Sequence, residues 1–143
     1  YPGKDYTIPF GKAAVAREGA DVVVFTWGAL VQRSLLAAQQ AEHDGTSVAV
    51  IDLRTIIPYD WETIAAYVRK TNRVIVAHED QMTAGFGAEI AAQLAEHAFF
   101  DLDAPIERLA MPDVPSPHNP LLLDAVVPGV GDIVTAMRRI ASA

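Results

Sequence analysis

Three uninterrupted apolar runs stand out along the chain: "DVVVFTW" (Asp21–Trp27), "SVAVIDL" (Ser47–Leu53) and "RVIVA" (Arg73–Ala77). None alternates polar with apolar, so each predicts a strand covered on both faces rather than one with a wet side. Between the runs the apolar spacing becomes helical. Leu30, Val31, Leu35, Ala38 and Ala41 share one face of a helix over Ala29–Glu42, with Asp44-Gly45 as its stop. Asp60 is placed to cap a second helix running to about Lys70, with Glu62 in its first turn and Arg69 and Lys70 in its last, as the helix dipole favours. Ile90, Leu94 and Ala98 mark a third, from about Gly85 to Ala98. Gly11–Glu18 predicts a short first strand and Pro105–Met111 a last one. Beyond the turn-rich "PDVPSPHNP", a short helix is expected around Leu121–Val126 and a terminal one over Val130–Ala141, with Ile133, Met137 and Ile140 inward. Such alternation predicts an α/β domain: a mostly parallel sheet between layers of helices, joined by right-handed crossovers. At 143 residues, one domain is expected.

Charge narrows the class of partner. Eleven basic residues against 18 acidic ones give a formal charge of -7, which argues against a nucleic-acid or anionic-membrane surface and favours a basic partner. With no cysteine, a disulfide framework, a thiolate metal site and a Cys nucleophile are all excluded, and the composition fits a reducing compartment. No apolar stretch approaches the ~20 residues that cross a bilayer, and Tyr1-Pro2-Gly3-Lys4-Asp5 has no signal-peptide pattern, so a soluble, non-secreted protein is expected. The start, with no Met and a Pro/Gly-containing lead-in, reads as a piece of a longer polypeptide.

In open α/β sheets, ligands sit outside the carboxyl ends of the parallel strands. The residues just after each apolar run are therefore the candidates for chemistry: Trp27-Gly28, Arg54-Thr55 and His78-Glu79-Asp80. Arg54 has two readings: a structural ion pair with Glu79 or Asp80 across adjacent strand ends, or a contact with a ligand or partner. Pro58 turns Ile57 away from helix before Asp60 starts one. "HED" lacks HExxH spacing, which speaks against a metal site. His43 and His97 fall near helix C-termini, while His118, between Pro117 and Asn119, is either an interface residue or an ordinary loop histidine. "GFGAE" is a poor phosphate loop, because no third glycine follows and Glu89 would repel the anion; Gly85 and Gly87 instead suit close helix packing. No nucleophile elbow, Ser/His/Asp order or paired-carboxylate spacing appears. Residue by residue, the sequence describes an acidic α/β module without a self-contained active site.

The stretches "DYTIPFGKA", "VIDLRTIIPYDWETI", "KTNRVIVAHED", "AGFGAEIAAQLAE", "LDAPIERL" and "DVPSPHNPLLLDAVVP", in this order, resemble the C-terminal domain of the beta subunit of thiamine-diphosphate-dependent 2-oxoacid dehydrogenases, within the transketolase C-terminal family. The resemblance covers essentially the whole chain. It implies a three-layer αβα sandwich with a five-stranded mixed sheet whose first strand is antiparallel. It also implies that residues 1–10 are a connector from an absent pyrimidine-binding domain and 11–143 the transketolase C-terminal-like domain. Thiamine diphosphate and magnesium would serve the full enzyme while being held outside this domain, so no catalytic, cofactor or metal residue is carried onto this chain. The full enzyme would decarboxylate a 2-oxoacid and pass the acyl group to a lipoyl arm, in a bacterial cytoplasm or a mitochondrial matrix. The domain itself would be inert. Its implied partners are the alpha subunit or other domains of the same enzyme, a second copy across a two-fold axis, and the subunit-binding domain of the acyltransferase. Arg54, His78, Glu79, Asp80 and His118 are the expected interface residues. "AHED" and "SPHNP" look closer to branched-chain-type or fused alpha/beta subunits than to pyruvate-type ones. A transketolase, a deoxyxylulose-phosphate synthase, or an independent ligand-binding module using the crevice near Gly28, Arg54 and His78 are the alternatives.

Overall fold

A computed structural model of the chain describes residues 3–143; Tyr1 and Pro2, the first two residues of the expected connector, lie outside the described residues. The strands are β1 (Ala14–Arg17), β2 (Val22–Thr26), β3 (Val48–Asp52), β4 (Val74–Gln81) and β5 (Glu107–Met111). The helices are α1 (Leu30–His43), α2 (Trp61–Thr71), α3 (Phe86–His97), α4 (Pro120–Val126) and α5 (Val130–Ala141). They form one sheet in the order β1-β3-β2-β4-β5, with β1 antiparallel to β3 and every other pair parallel. The five-stranded mixed sheet with an antiparallel first strand is thus as expected. After β2 the chain crosses through α1 to β3, then reverses through α2 past β2 to β4. That reversal puts the helices on opposite faces, as right-handed connections require.

Strand parity explains the unbroken apolar runs. Val22 and Val24, Val48 and Val50, and Ile75 and Ala77 point into a core shared with α1 and α5. Their neighbours Val23 and Phe25, Ala49 and Ile51, and Val74 and Val76 point into a second core beneath α2 and α3. Both faces of the sheet are dry, so both parities are apolar along these runs, with Thr26 at the end of β2 and His78 in β4 as buried polar exceptions. The result is the three-layer sandwich.

β1 is shorter than the expected Gly11–Glu18, and its register with β3 shifts between Val15 and Arg17. The approach to it is held by side chains instead of a ladder. The Gly11 N–H donates to Thr55 Oγ1 at 2.9 Å and the Ala13 N–H to Asp60 Oδ2 at 3.1 Å. Asp60 caps α2 as expected, accepting from the Thr63 N–H at 3.2 Å, and Asn72 closes the helix in a left-handed conformation. A short 3-10 turn over Phe99–Asp101 was not expected.

One expectation is corrected at the C-terminus. Pro120–Ala141 is long and apolar enough to cross a bilayer by length and composition. It is not one helix, because Pro128 and Gly129 separate α4 from α5. α5 buries Ile133, Val134, Ala136, Met137 and Ile140. Its last turn pairs Arg138 with Asp44 at 2.7 Å, and Arg139 with Glu107.

Candidate functional site

The carboxyl edge of the sheet is built by the ends of β2, β3 and β4. β4 runs four residues beyond its apolar run, so His78, Glu79 and Asp80 lie within the strand rather than after it as expected. Parity then separates them. His78 follows Val76 toward α3, whereas Glu79 follows Ala77 toward α1.

His78 is 0% exposed. Its ring stacks on Trp27 with centroids 5.2 Å apart and planes 4° from parallel, and Trp27 in turn meets Phe86 edge-on at 5.8 Å. Tyr59 closes the cluster against Phe86 at 5.9 Å. The start of α3 also packs against the ring. A Cβ on Gly87 would stand 2.2 Å from His78 Nε2, and one on Gly85 would stand 2.8 Å from Cε1 and 2.1 Å from the Gln81 carbonyl oxygen. The glycines of "GFGAE" thus admit the imidazole beneath a helix, the packing role expected of them. Neither ring nitrogen has a hydrogen-bond partner among the described residues. Burial lowers the pKa of His78 below the ordinary histidine value; Asp80 opposes this and Arg108 adds to it.

Glu79 has a different task. α1 has no side-chain N-cap of its own and no acid in its first turn. Glu79 Oε2 supplies both from another strand, accepting the Ala29 N–H at 3.2 Å. Gly28 permits the approach: its φ is 62°, and a Cβ there would sit 2.9 Å from the same oxygen.

Arg54 leaves β3 with φ 59°, its N–H donating to Asp52 Oδ1 at 3.0 Å. The expected pair with Glu79 or Asp80 is not formed among the described residues. β2 lies between β3 and β4, so these are not adjacent strand ends. Arg54 instead borders an open cleft of about 660 Å³ lined also by Ile8, Phe10, Trp27, Gly28 and Asp52. Asp80 is exposed, its Oδ1 accepting the Gln81 N–H at 2.8 Å. From there β4 is tied to the loop after β5, with Thr83 donating to Asp113 through its hydroxyl at 2.6 Å and its N–H at 3.0 Å. That loop carries His118, which is exposed, next to Asn119, the cap of α4.

A diphosphate held through magnesium does not fit this edge. The N-terminus of α1 is already met by the Glu79 carboxylate, α3 carries Glu89 in its first turn, and among the described residues no three His, Asp or Glu side chains are grouped to hold a metal ion. What the edge offers is apolar surface. Phe10 is 84% exposed, Ile57 82% and Leu121 82%. No residue of α4 is buried. At the opposite edge of the sheet, Phe100 is 98% exposed beside a hollow of about 540 Å³ lined by Phe99, Leu102, Ala104, Pro105 and Ile106. These exposed positions were not singled out from the sequence. The signal for one was present: three successive leucines, 121–123, cannot all point inward from one helix.

The family model described as "Transketolase, C-terminal domain" matches residues 11–133. The chain is similar to the 2-oxoisovalerate dehydrogenase subunit beta of Bacillus subtilis, 43% identical over 141 residues, covering 98% of this chain and 43% of that relative. It is similar also to the pyruvate dehydrogenase E1 component subunit beta of Staphylococcus epidermidis, 50% identical over 118 residues, covering 82% of this chain and 36% of that one. The chain therefore spans about two fifths of these relatives. Among solved structures, a split-gene transketolase described as an inactive beta4 tetramer superposes with a TM-score of 0.82 at 26% identity, covering 96% of this chain and 44% of that one.

Proposed function

The chain belongs to the transketolase C-terminal domain family, and on that premise we propose that it is the C-terminal assembly domain of a 2-oxoacid dehydrogenase beta subunit, without catalytic groups of its own. The observation that carries this reading is the carboxyl edge itself. Its helix N-terminus is closed by Glu79, yet Phe10, Ile57 and Leu121 present their side chains to solvent. Ile8 and Phe10 line one cleft of that edge with Trp27 and Ile56, and contiguous exposed apolar groups of this kind mark surfaces that other protein covers. The relatives matched are beta subunits, which favours the dehydrogenase branch over transketolase or deoxyxylulose-phosphate synthase. The capped α1 terminus speaks against an independent ligand-binding module.

In the same reading, thiamine diphosphate and magnesium are bound elsewhere in the enzyme, and residues 1–10 lead in from the domain that helps bind them. Oxidative decarboxylation of a branched-chain 2-oxoacid or pyruvate is the work of the whole. Its alpha subunit, a second copy of this chain and the acyltransferase's subunit-binding domain are the partners, in a bacterial cytoplasm. The charge of -7 suits a basic partner through electrostatic steering. Arg54, Glu79, Asp80 and His118 are the polar contacts of the covered edge, and His78 supports them from beneath. Two substitutions test this in the full-length subunit produced with its alpha partner: Ile57→Asp, in the apolar patch, and Arg54→Glu, at its polar border. Size-exclusion chromatography is expected to show loss of the assembled species, with 2-oxoacid turnover lost in parallel and the circular dichroism of the subunit unchanged. Full assembly by both variants would overturn the assignment of this edge.

A further inference from the structure

His78 alone, among the described residues, combines complete burial with a titratable group whose polar atoms have no partner. A neutral imidazole carries one donor and one acceptor, and leaving both unmet is already unfavourable. A protonated one carries two donors and a full charge, for which burial without an acceptor is far worse. Each neighbouring element bears on that charge. Trp27, beyond the end of β2, offers only its ring face. α3 offers Gly85 and Gly87 and the positive end of its dipole. Arg108 on β5 is cationic, and only Asp80, on β4 itself, favours the charged form. The remaining charged or titratable groups nearby are engaged elsewhere: Glu79 with the Ala29 N–H, and Glu89, exposed on α3, with the Gln93 side chain. Tyr59 is a neutral phenol across Phe86, its pKa raised by burial and then by Glu89.

We propose that His78 is an acid-sensitive latch: on protonation the imidazole leaves its place between Trp27 and α3, and the Met82–Gly87 segment opens with the first helical turn. Opening uncovers Trp27 and Phe86 at the carboxyl edge. The latch is a property of the chain itself and does not depend on that edge meeting a partner. Because the folded form binds the proton less readily than the unfolded one, protection is complete above about pH 6.5 and is lost as pH falls from there toward the lower folded-state value. The carboxylates that stabilise the fold act in a separate range. Asp60, Glu18 and Asp113 all have lowered pKa values, so their contributions are lost only below about pH 4.

Measured on the intact protein between pH 4.5 and 8, hydrogen exchange of residues 82–90, corrected for intrinsic rates, is expected to rise below pH 6.5 by up to about tenfold per pH unit. Exchange of β2 should stay flat over that range. In parallel, the imidazole Cε1–H resonance of His78 should complete its titration below that of an ordinary histidine. The variant His78→Phe, which keeps a ring against Trp27 without a titrating group, should abolish the pH slope; His78→Leu serves if that ring is not accommodated. A flat profile in the unsubstituted protein, the same slope in the variants, or a rise in β2 together with residues 82–90 would each overturn the latch.

Discussion

Gly87→Ala isolates the contact on which the carboxyl edge rests, because alanine is ordinarily the better helix residue. In a helix interior the exchange is worth up to about 1 kcal/mol of stabilisation. Here the added methyl would stand 2.2 Å from His78 Nε2, 2.3 Å from Cδ2 and 3.3 Å from Val76 Cγ1. Ordinary contact begins near ~3.5 Å, so the imidazole must retreat by about 1.3 Å. The same ring is stacked on Trp27 at 5.2 Å, so its movement disturbs that stack. Overpacking of this kind costs about 1–3 kcal/mol, and a disrupted aromatic stack adds about 0.5–1.5 kcal/mol. Net destabilisation of about 2 kcal/mol is expected, read as a fall in Tm of roughly 6 °C for a domain of this size. Gly131→Ala is the control: Gly131 is exposed in α5, an added Cβ there meets, beyond its chain neighbours and own helix backbone, nothing within 4 Å among the described residues, and the exchange should stabilise by about 0.5 kcal/mol. Urea denaturation followed by circular dichroism measures both, and a cycle with His78→Ala should recover about 1 kcal/mol or more as coupling. If both glycine substitutions move stability in the same direction, the steric reasoning is refuted.

Three further outcomes are expected. Glu79→Ala removes the cap of α1 and should cost about 1 kcal/mol in urea denaturation, with faster amide exchange confined to the first turn of α1, and Glu79→Gln should cost less. Asp60→Ala strips the acceptor of the Ala13 and Thr63 N–H groups and the Thr63 hydroxyl, a loss of about 2 kcal/mol. Burial alone would raise the pKa of Asp60, but these hydrogen bonds outweigh it and leave it lowered. Its contribution is therefore present above about pH 4 and lost as pH falls through the lower folded value, so Asp60→Asn should flatten the acid limb of the stability profile. Tyr67, pushed up to about 12 by burial and then by its hydrogen bond to Glu18, should remain un-ionised in an ultraviolet titration at pH 11. Glu18→Gln should bring its ionisation down toward 10.

The sheet was legible because its strands are apolar at both parities, and α2 because Asp60, Glu62, Arg69 and Lys70 mark both of its ends. Strand order was not. Nothing local to Arg54 or Glu79 says that β2 will lie between their strands, and so the expected ion pair failed. The extent of β4 was hidden for a related reason. "HED" reads as polar punctuation, although one of its residues is buried under α3 and the next is spent on α1. Burial of His78 is decided by two glycines seven and nine positions on, and their meaning depends on the helix folding back over the strand. The glycines themselves were readable as packing residues. What they pack against was not.

The Glu79 cap ties the start of one helix to a carboxylate 50 residues later in the chain. During synthesis, α1 emerges with β2 and β3 well before the residue that completes its first turn. Until β4 has emerged and taken its place beside β2, the first turn of α1 is met by water alone. The same bond therefore orders events along the chain: the start of α1 is completed only by the second half of the fold, and a chain released before β4 is made carries a first helix without the carboxylate that caps it.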